Sequence, residues 1–245
     1  MLVTKANEEM KLTDILSVLR SPDCTTKARL ETYTTFSDKL KMETNDMAFV
    51  QDVAKSSRQV ISLIQSDILG SSSELTENAL QVLGLCLQNQ TIINSMGLKD
   101  SNEVIRNLCQ CALETEDKGV CTRALWCLAN QVLQPDVICN QINPILDALE
   151  HSFSKPLSQS VLVEHEAVNL VVRLLQQVPK KMNEKAINWS HHVYSLLGHG
   201  AIRIREKALQ ALSIALPAFL VNPNGLVASM VADVKTVSII IYCLL

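Results

Sequence analysis

The sequence predicts an all-α protein, an α-solenoid of the HEAT/armadillo type with about four to five helix pairs. The main observation is a repeated pattern, in which an Ala and the aliphatic residue after it are followed three positions later by another aliphatic residue. It recurs at spacings of 45, 43 and 41 residues, which fit the repeat length of about 40–47 residues in this class. Gly and Pro number only seven each among 245 residues, so turn signals are few.

Each recurrence lies in a stretch with the 3.6-residue period of an amphipathic helix. The repeated positions are Ala79, Ala124, Ala167 and Ala208, and a weaker unit centres on Ala28. A small side chain there lets a neighbouring helix approach closely. In each unit another amphipathic stretch comes first and predicts the partner helix. These partner stretches are residues 60–69, 104–113, 137–153 and 187–197.

The joints between these stretches contain residues that start or stop helices. Ser71, with Glu74 three positions later, forms a capping box that predicts the start of a helix. Pro135 suits a first helical turn, and Pro179 predicts a helix end. The run Gly198-His199-Gly200 predicts the turn of the last complete pair.

Composition excludes several classes of protein. Lys and Arg number 22 against 25 Asp and Glu, a formal net charge of -3, which disfavours a domain devoted to electrostatic binding of nucleic acid. No apolar run approaches the roughly 20 residues of a membrane span. Charged residues near the amino terminus do not fit a signal peptide. The eight Cys residues therefore predict free thiols in the cytosol or nucleus.

Several segments carry the pattern of one known family. They are residues 73–87, the run Thr122-Arg123-Ala124-Leu125-Trp126, and residues 166–175 followed by Trp189. The second is the most specific, because generic HEAT units rarely place Trp at this position. On these segments the chain resembles the N-terminal domain of the telomere-associated Rif (Rap-interacting factor) family, collinearly from about residue 12 to residue 236.

The resemblance implies a non-enzymatic chromatin scaffold in the nucleus, at chromosomes and telomeres. It implies roles in telomere maintenance, replication-timing control and the choice of double-strand-break repair. The implied partners are a phosphorylated DNA-damage mediator protein and other chromatin and telomere proteins, with DNA as a weaker partner of this region. Neither a membrane nor a small-molecule substrate is expected. Two alternatives stay open: a solenoid that binds DNA directly, and a HEAT-repeat adaptor unrelated to telomeres.

Four basic residues are the candidates for partner binding. Lys180 and Lys181 precede the predicted helix of the last pair, and Arg203 and Arg205 open the helix that follows it. Their grouping in a mildly acidic chain makes them candidates for contacts with phosphate groups or with an acidic peptide. A solvated surface without a partner is the alternative interpretation.

No constellation of catalytic, cofactor-binding or metal-binding residues is predicted, and the chain is not expected to be an enzyme or to need a cofactor. Three groups of potential metal ligands each lack a partner at a metal-binding spacing. They are His165-Glu166, whose helix carries Asn169 in place of a second His; the pair Cys109 and Cys111; and the histidines His191, His192 and His199.

The segment from Lys185 to Trp189 matches the short docking motif for the type-one protein phosphatase, which the resembled family recruits. Such motifs bind as added strands from flexible segments. Here Ile187 and Trp189 lie in a predicted helix, and we expect both to pack into the core.

The sequence predicts one solenoid domain over residues 1–236. The last residues, 237–245, are apolar and fit neither the family nor a capping helix. We expect them to be a tail derived from truncation, because an end repeat of a solenoid needs a polar outer face.

Overall fold

The structure is a computed structural model, and it describes residues 10–41, 47–70, 72–154 and 157–221. Within these residues every regular element is helical, which confirms the all-α prediction. Two are short 3₁₀ helices, Leu157–Gln159 and Leu196–Gly198. The α-helices are α1 (Leu12–Arg20), α2 (Thr26–Lys41), α3 (Met47–Lys55), α4 (Ser57–Gly70), α5 (Ser73–Gln88), α6 (Gln90–Ser95), α7 (Leu98–Glu114), α8 (Lys118–Asn130), α9 (Pro135–Asn140), α10 (Ile142–Ser152), α11 (Val161–Gln177), α12 (Pro179–Glu184), α13 (Ala186–Ser195) and α14 (Ile202–Val221).

The first of two compact units is organised around α5. It comprises the described residues up to Val104 together with Gln131–Leu133. Helices α2, α4 and α6 contact α5, and Ala79 of α5 is fully buried, as the repeat pattern predicts. The Val132 N–H donates a hydrogen bond to the Leu87 carbonyl oxygen at 2.9 Å. This bond attaches the segment 131–133 to the carboxyl end of α5.

A charged cluster lies inside the first unit. Helix α2, which holds the weaker repeat unit around Ala28, contributes Arg29 and Tyr33, and α4 contributes Asp67. The Tyr33 hydroxyl donates to Asp67 Oδ2 at 2.8 Å, Arg29 forms an ion pair with Asp67, and Arg29 Nη2 donates to the Ser21 carbonyl oxygen at 3.1 Å. Burial raises the pKa of the Tyr33 hydroxyl above its ordinary value. The buried Asp67 side chain thus has partners on both of its carboxylate oxygens, which offset the cost of removing it from water.

The second compact unit is built around three repeat helices. It comprises Ile105–Asn130 and the described residues from Gln134 onward. Helix α11 contacts α8 on one side and α14 on the other. The repeated Ala of each of these helices is fully buried, which confirms the repeat and its inward face. These residues are Ala124, Ala167 and Ala208.

The residues beside the repeated Ala complete this packing. Leu125 is fully buried, as predicted from its position in the repeat. Arg173 of α11 donates through Nε to the Ala129 carbonyl oxygen of α8 at 3.2 Å. This bond satisfies a carbonyl oxygen near the carboxyl end of α8, where the carbonyl oxygens have no N–H partner within the helix.

The joints agree with the sequence in most respects. Helix α9 begins at Pro135, and α11 ends before Pro179, as predicted. The predicted capping box is wrong, because the N-cap of α5 is Ser72 and its side chain makes no capping hydrogen bond. An unpredicted cap opens α8, where Asp117 Oδ1 accepts from the Gly119 and Val120 N–H groups at 2.8 and 3.0 Å.

The predicted partner stretches correspond to α4, α7 and α13, and the third is divided. Residues 137–153 form α9 and α10 rather than one helix, because the backbone leaves the helical conformation at Gln141 (φ -109°, ψ 14°).

The described helices include none with the length and apolar character needed to cross a membrane. The tail 237–245 lies outside the described residues, so its proposed origin stays a prediction, as does the single domain over 1–236.

Candidate partner-binding surface

Helices α12 and α13 present the first two candidate lysines. Pro179 occupies the first turn of α12, and Met182 of that helix is fully buried. The indole N–H of Trp189 donates to the Met182 carbonyl oxygen at 3.0 Å, and the Trp189 side chain is fully buried. This hydrogen bond fixes α13 against the end of α12, so the surface of α12 has a defined orientation.

The expectation that Ile187 and Trp189 both pack into the core is half correct. Trp189 is fully buried, whereas Ile187 is 74% exposed. Two residues along a helix correspond to a rotation of about 200°, so the two side chains cannot share one face. The phosphatase-type docking motif requires its aliphatic and aromatic residues at the surface together, and Trp189 does not lie there.

The lysines of α12 differ in their surroundings. Lys180 is exposed and makes no ion pair with any residue that the structure describes. Lys181 is half-buried, and its Nζ lies 2.9 Å from Glu184 Oε2. The hydrogen bond between them raises the pKa of Lys181 and lowers the pKa of Glu184. Lys180 is therefore the more available cation.

The turn before α14 is held by a set of polar contacts. The Ala201 N–H donates to His199 Nδ1 at 3.0 Å, so His199 carries its proton on Nε2, which lies 3.0 Å from Glu164 Oε2 of α11. Arg205 Nη1 donates to the carbonyl oxygens of His199 and Gly200 at 2.7 and 3.0 Å. These contacts explain why the Gly198-His199-Gly200 run forms a defined turn.

The two arginines of α14 therefore have different roles. Arg205 is half-buried and its guanidinium group is occupied with the turn, so it is a structural residue as well as a candidate. Arg203 is exposed and forms no ion pair within the described residues. Helix α12 contacts α14, so the fold places Lys180 and Arg203 on adjoining helices. Residues 179–207 carry six Lys or Arg against two Glu, although the whole chain has a net charge of -3.

The histidines near this surface form pairs with neighbours rather than a metal site. The rings of Phe153 and His192 stack with centroids 4.8 Å apart, and the His191 ring lies 3.8 Å from that of His192. Burial lowers the pKa of His192. In the part of the chain that the structure describes, no group of three His, Cys, Asp or Glu residues is placed to hold a metal ion.

The pair Cys109 and Cys111 lies in the apolar core. Both thiols are buried, and burial raises their pKa to about 12 and about 11. His165 Nδ1 lies 3.2 Å from Glu166 Oε1, and Asn169, which occupies the position of a second His, donates to Glu166 at 3.5 Å. This pair of residues is an ordinary polar contact on α11.

Sequence reasoning missed the contacts that hold the surface in place. His199 and Glu164 are far apart in the sequence, as are Phe153 and His192, and no local pattern connects them. The residue type was the one available indication of these contacts, since a His side chain that is partly buried commonly forms a hydrogen bond or an ion pair.

Comparison with known proteins identifies similar chains. The family model "Rap1-interacting factor 1 N terminal" matches residues 23–240. The human telomere-associated protein RIF1 is 28% identical over 235 residues, which cover 96% of this chain and 9% of that protein. The chain thus spans about a tenth of the length of this curated relative.

Two solved structures share the fold. A designed armadillo repeat protein in complex with a (KR)4 peptide superposes with a TM-score of 0.64 at 16% identity, covering 94% of this chain and 99% of that one. The Rif1 N-terminal domain of Saccharomyces cerevisiae in complex with DNA gives a TM-score of 0.61 at 17% identity, covering 87% of this chain and 22% of that one. These similarities confirm the predicted HEAT/armadillo fold class.

Proposed function

Because the chain belongs to the Rap1-interacting factor 1 N-terminal family, we propose that it acts as a non-enzymatic scaffold on chromosomes and telomeres in the nucleus. The processes it serves are telomere maintenance, replication-timing control and the choice of double-strand-break repair. Its partners are a phosphorylated DNA-damage mediator protein and other chromatin and telomere proteins. The relatedness to a telomere-associated protein over 96% of this chain supports the cellular context.

One observation carries the binding mechanism. Lys180 and Arg203 are exposed on adjoining helices, and the segment that contains them has an excess of basic residues in an acidic chain. A phosphorylated side chain presents close to two negative charges and several acceptor oxygens, which cations at a protein surface bind through charge-assisted hydrogen bonds. Lys181 and Arg205 lie beside them and strengthen the local positive potential.

Direct DNA binding is the second candidate function. Its support is the yeast Rif1 N-terminal domain, whose structure contains DNA. The same cations would contact the phosphates of the duplex backbone, and affinity would then fall steeply with salt concentration. The net charge of -3 for the whole chain opposes this mode, so it ranks below the phosphoprotein.

A binding experiment with the full chain tests the proposal. Fluorescence anisotropy would compare a labelled phosphoserine peptide with its unphosphorylated form and with labelled duplex DNA. The double variant Lys180→Glu/Arg203→Glu should weaken phosphopeptide binding about tenfold at low salt, where exposed charges are least screened. We leave Arg205 unchanged in this test, because its contacts hold the turn before α14.

The control is a double variant with the same change in net charge. Lys27 and Arg58 are 86% and 84% exposed at their side chains and lie in the first unit. Lys27→Glu/Arg58→Glu should leave the affinity within about twofold. Equal binding of both peptide forms, or an equal loss in both double variants, would contradict a phosphate site at α12 and α14. Preference for duplex DNA over the phosphopeptide would favour the second candidate.

A further inference from the structure

A second basic feature lies in the first compact unit, apart from the surface of α12 and α14. Helices α1, α2, α3 and α4 line an open groove with a volume of about 670 Å³. Its floor is apolar and nearly buried, with Leu12, Leu16 and Phe49 each at most 7% exposed. The size lies within the range of ligand-binding clefts, roughly 300–1,000 Å³.

The charges around this groove are strongly one-sided. Among the residues that the structure describes, four cationic side chains and the carboxylate of Asp52 line it. They come from both ends of α1, from α2 and from α3. These residues are Lys11, Arg20, Lys39 and Lys55. A concave site lined by one sign of charge above a poorly hydrated floor concentrates the potential inside it.

The floor and part of the rim are fixed by contacts within the unit. The Phe49 ring meets the Phe36 ring edge-on, with centroids 5.8 Å apart and planes at 89°. Lys39 Nζ lies 5.2 Å from the centroid of the Phe49 ring, a cation–π arrangement that holds the charge above the floor. Lys55 pairs with Asp52 at 3.0 Å, so these two charges offset each other and Lys11, Arg20 and Lys39 supply the positive excess among the described residues of the rim.

We propose that this groove binds an acidic peptide segment of a partner protein, with one apolar side chain of the peptide seated on the floor. The cations would pair with Asp and Glu residues on either side of that anchor. This combination of an apolar anchor and complementary rim charges is a common basis of peptide recognition. The site is independent of the proposed phosphate contacts at α12 and α14.

The apolar floor distinguishes a peptide from duplex DNA as the occupant. The backbone of a duplex offers phosphates and sugars but no apolar group that would enter a cleft, and its bases are stacked inside. Cations that bind duplex phosphates therefore need no depression beneath them. A peptide with an apolar residue between acidic ones uses both the floor and the rim.

Anisotropy with the full chain tests this groove. The probe is a short fluorescein-labelled peptide in which Asp and Glu flank a single Leu; its comparators replace the Leu by Ser, or the acidic residues by Lys. We expect the acidic Leu peptide to bind most tightly. Arg20→Glu/Lys55→Glu should weaken it about tenfold. The matched control Lys180→Glu/Arg203→Glu should leave its affinity within about twofold.

A third variant tests the shape of the groove without changing its charges. Ala48 is exposed and lines the groove, so Ala48→Trp fills it without altering any charge. We expect this variant to keep its helical content by circular dichroism and to lose binding of the acidic Leu peptide. Unchanged binding to Ala48→Trp, equal binding of the Ser peptide, or tighter binding of labelled duplex DNA at this groove would each overturn the proposal.

Discussion

Both compact units consist of closely packed apolar helices, and the first also contains a buried ion pair between α2 and α4. In the first unit, α2 and α4 meet at the buried carboxylate of Asp67. In the second, α8, α11 and α14 meet through buried Ala and Leu side chains such as Leu125. The comparison shows that the sequence repeat marks positions where apolar helices pack closely against each other. The charged cluster joins residues that lie 34 and 38 positions apart in the sequence. Because these contacts do not recur at a fixed spacing, no sequence repeat reveals them.

The largest expected effect concerns the charged cluster. Asp67→Ala removes the acceptor of the Tyr33 hydroxyl and the carboxylate partner of Arg29, whose guanidinium group keeps only its hydrogen bond to the Ser21 carbonyl oxygen. We expect the free energy of unfolding to fall by about 4 kcal/mol, since a buried ion pair that loses one member is strongly destabilised. Urea titration followed by circular dichroism would measure the loss.

Two further variants show whether the loss of stability in Asp67→Ala comes from the buried charged cluster. Asp38 is 65% exposed and pairs with Lys41 in the same unit, so Asp38→Ala should change stability by less than about 1 kcal/mol. Asp67→Asn keeps an acceptor for the Tyr33 hydroxyl and should lie between the two. If Asp67→Ala were no more harmful than Asp38→Ala, the first unit would not depend on its charged cluster and the comparison would fail.

The next effect concerns the apolar packing of the second unit. Leu125→Ala should cost about 3 kcal/mol, because it leaves a cavity at a fully buried position. Leu162→Ala is the matched control in the same unit, since Leu162 is 67% exposed. Thermal or urea unfolding of both variants measures the difference. A loss below about half a kcal/mol at Leu125 would show that the repeat helices do not derive their stability from this face.

The smallest expected effect concerns the protonation of a partly buried histidine in the second unit. Burial lowers the pKa of His192 in the folded state, and its Nε2 finds no hydrogen-bond partner among the described residues. The neutral form is therefore favoured on folding. Its stabilisation is present above the unfolded pKa of about 6.5 and is lost as the pH falls through the folded pKa.

Stability measured between about pH 7.5 and about pH 5 tests this sign. His192→Phe keeps a ring to stack on Phe153 and should flatten part of the decline towards acid. His165→Gln is the control, because His165 lies on α11 and contacts Glu166 rather than His192. An unaltered pH profile in His192→Phe would assign the acid sensitivity to other groups.

The sequence predicted the fold well wherever periodicity reflects burial. The four repeated Ala residues are all fully buried, and Pro135 and Pro179 stand at the joints where they were expected. The sequence could not separate Ile187 from Trp189, because an apolar residue at the edge of a helical stripe looks the same whether it is buried or exposed. The capping of α8 by Asp117 was also missed, since many Asp residues precede helices without capping them.

The candidate surface was predicted less completely than the fold. Sequence placed Lys180 and Arg203 near one joint, and the contact between α12 and α14 brings their helices together. It could not show that Arg205 is engaged with the carbonyl oxygens of the preceding turn. The groove in the first unit has no motif, because its lining residues come from four separate helices.

The buried cysteines give each unit its own chemical reporter. Burial raises the pKa of Cys86 in the first unit, and of Cys109 and Cys121 in the second, to about 12. Almost no thiolate exists at neutral pH, so an alkylating reagent modifies these residues only during local opening. The half-buried thiols Cys24 and Cys139 provide faster references. Mass spectrometry after timed alkylation would therefore compare the opening frequencies of the two units in the unmodified chain, without an added label.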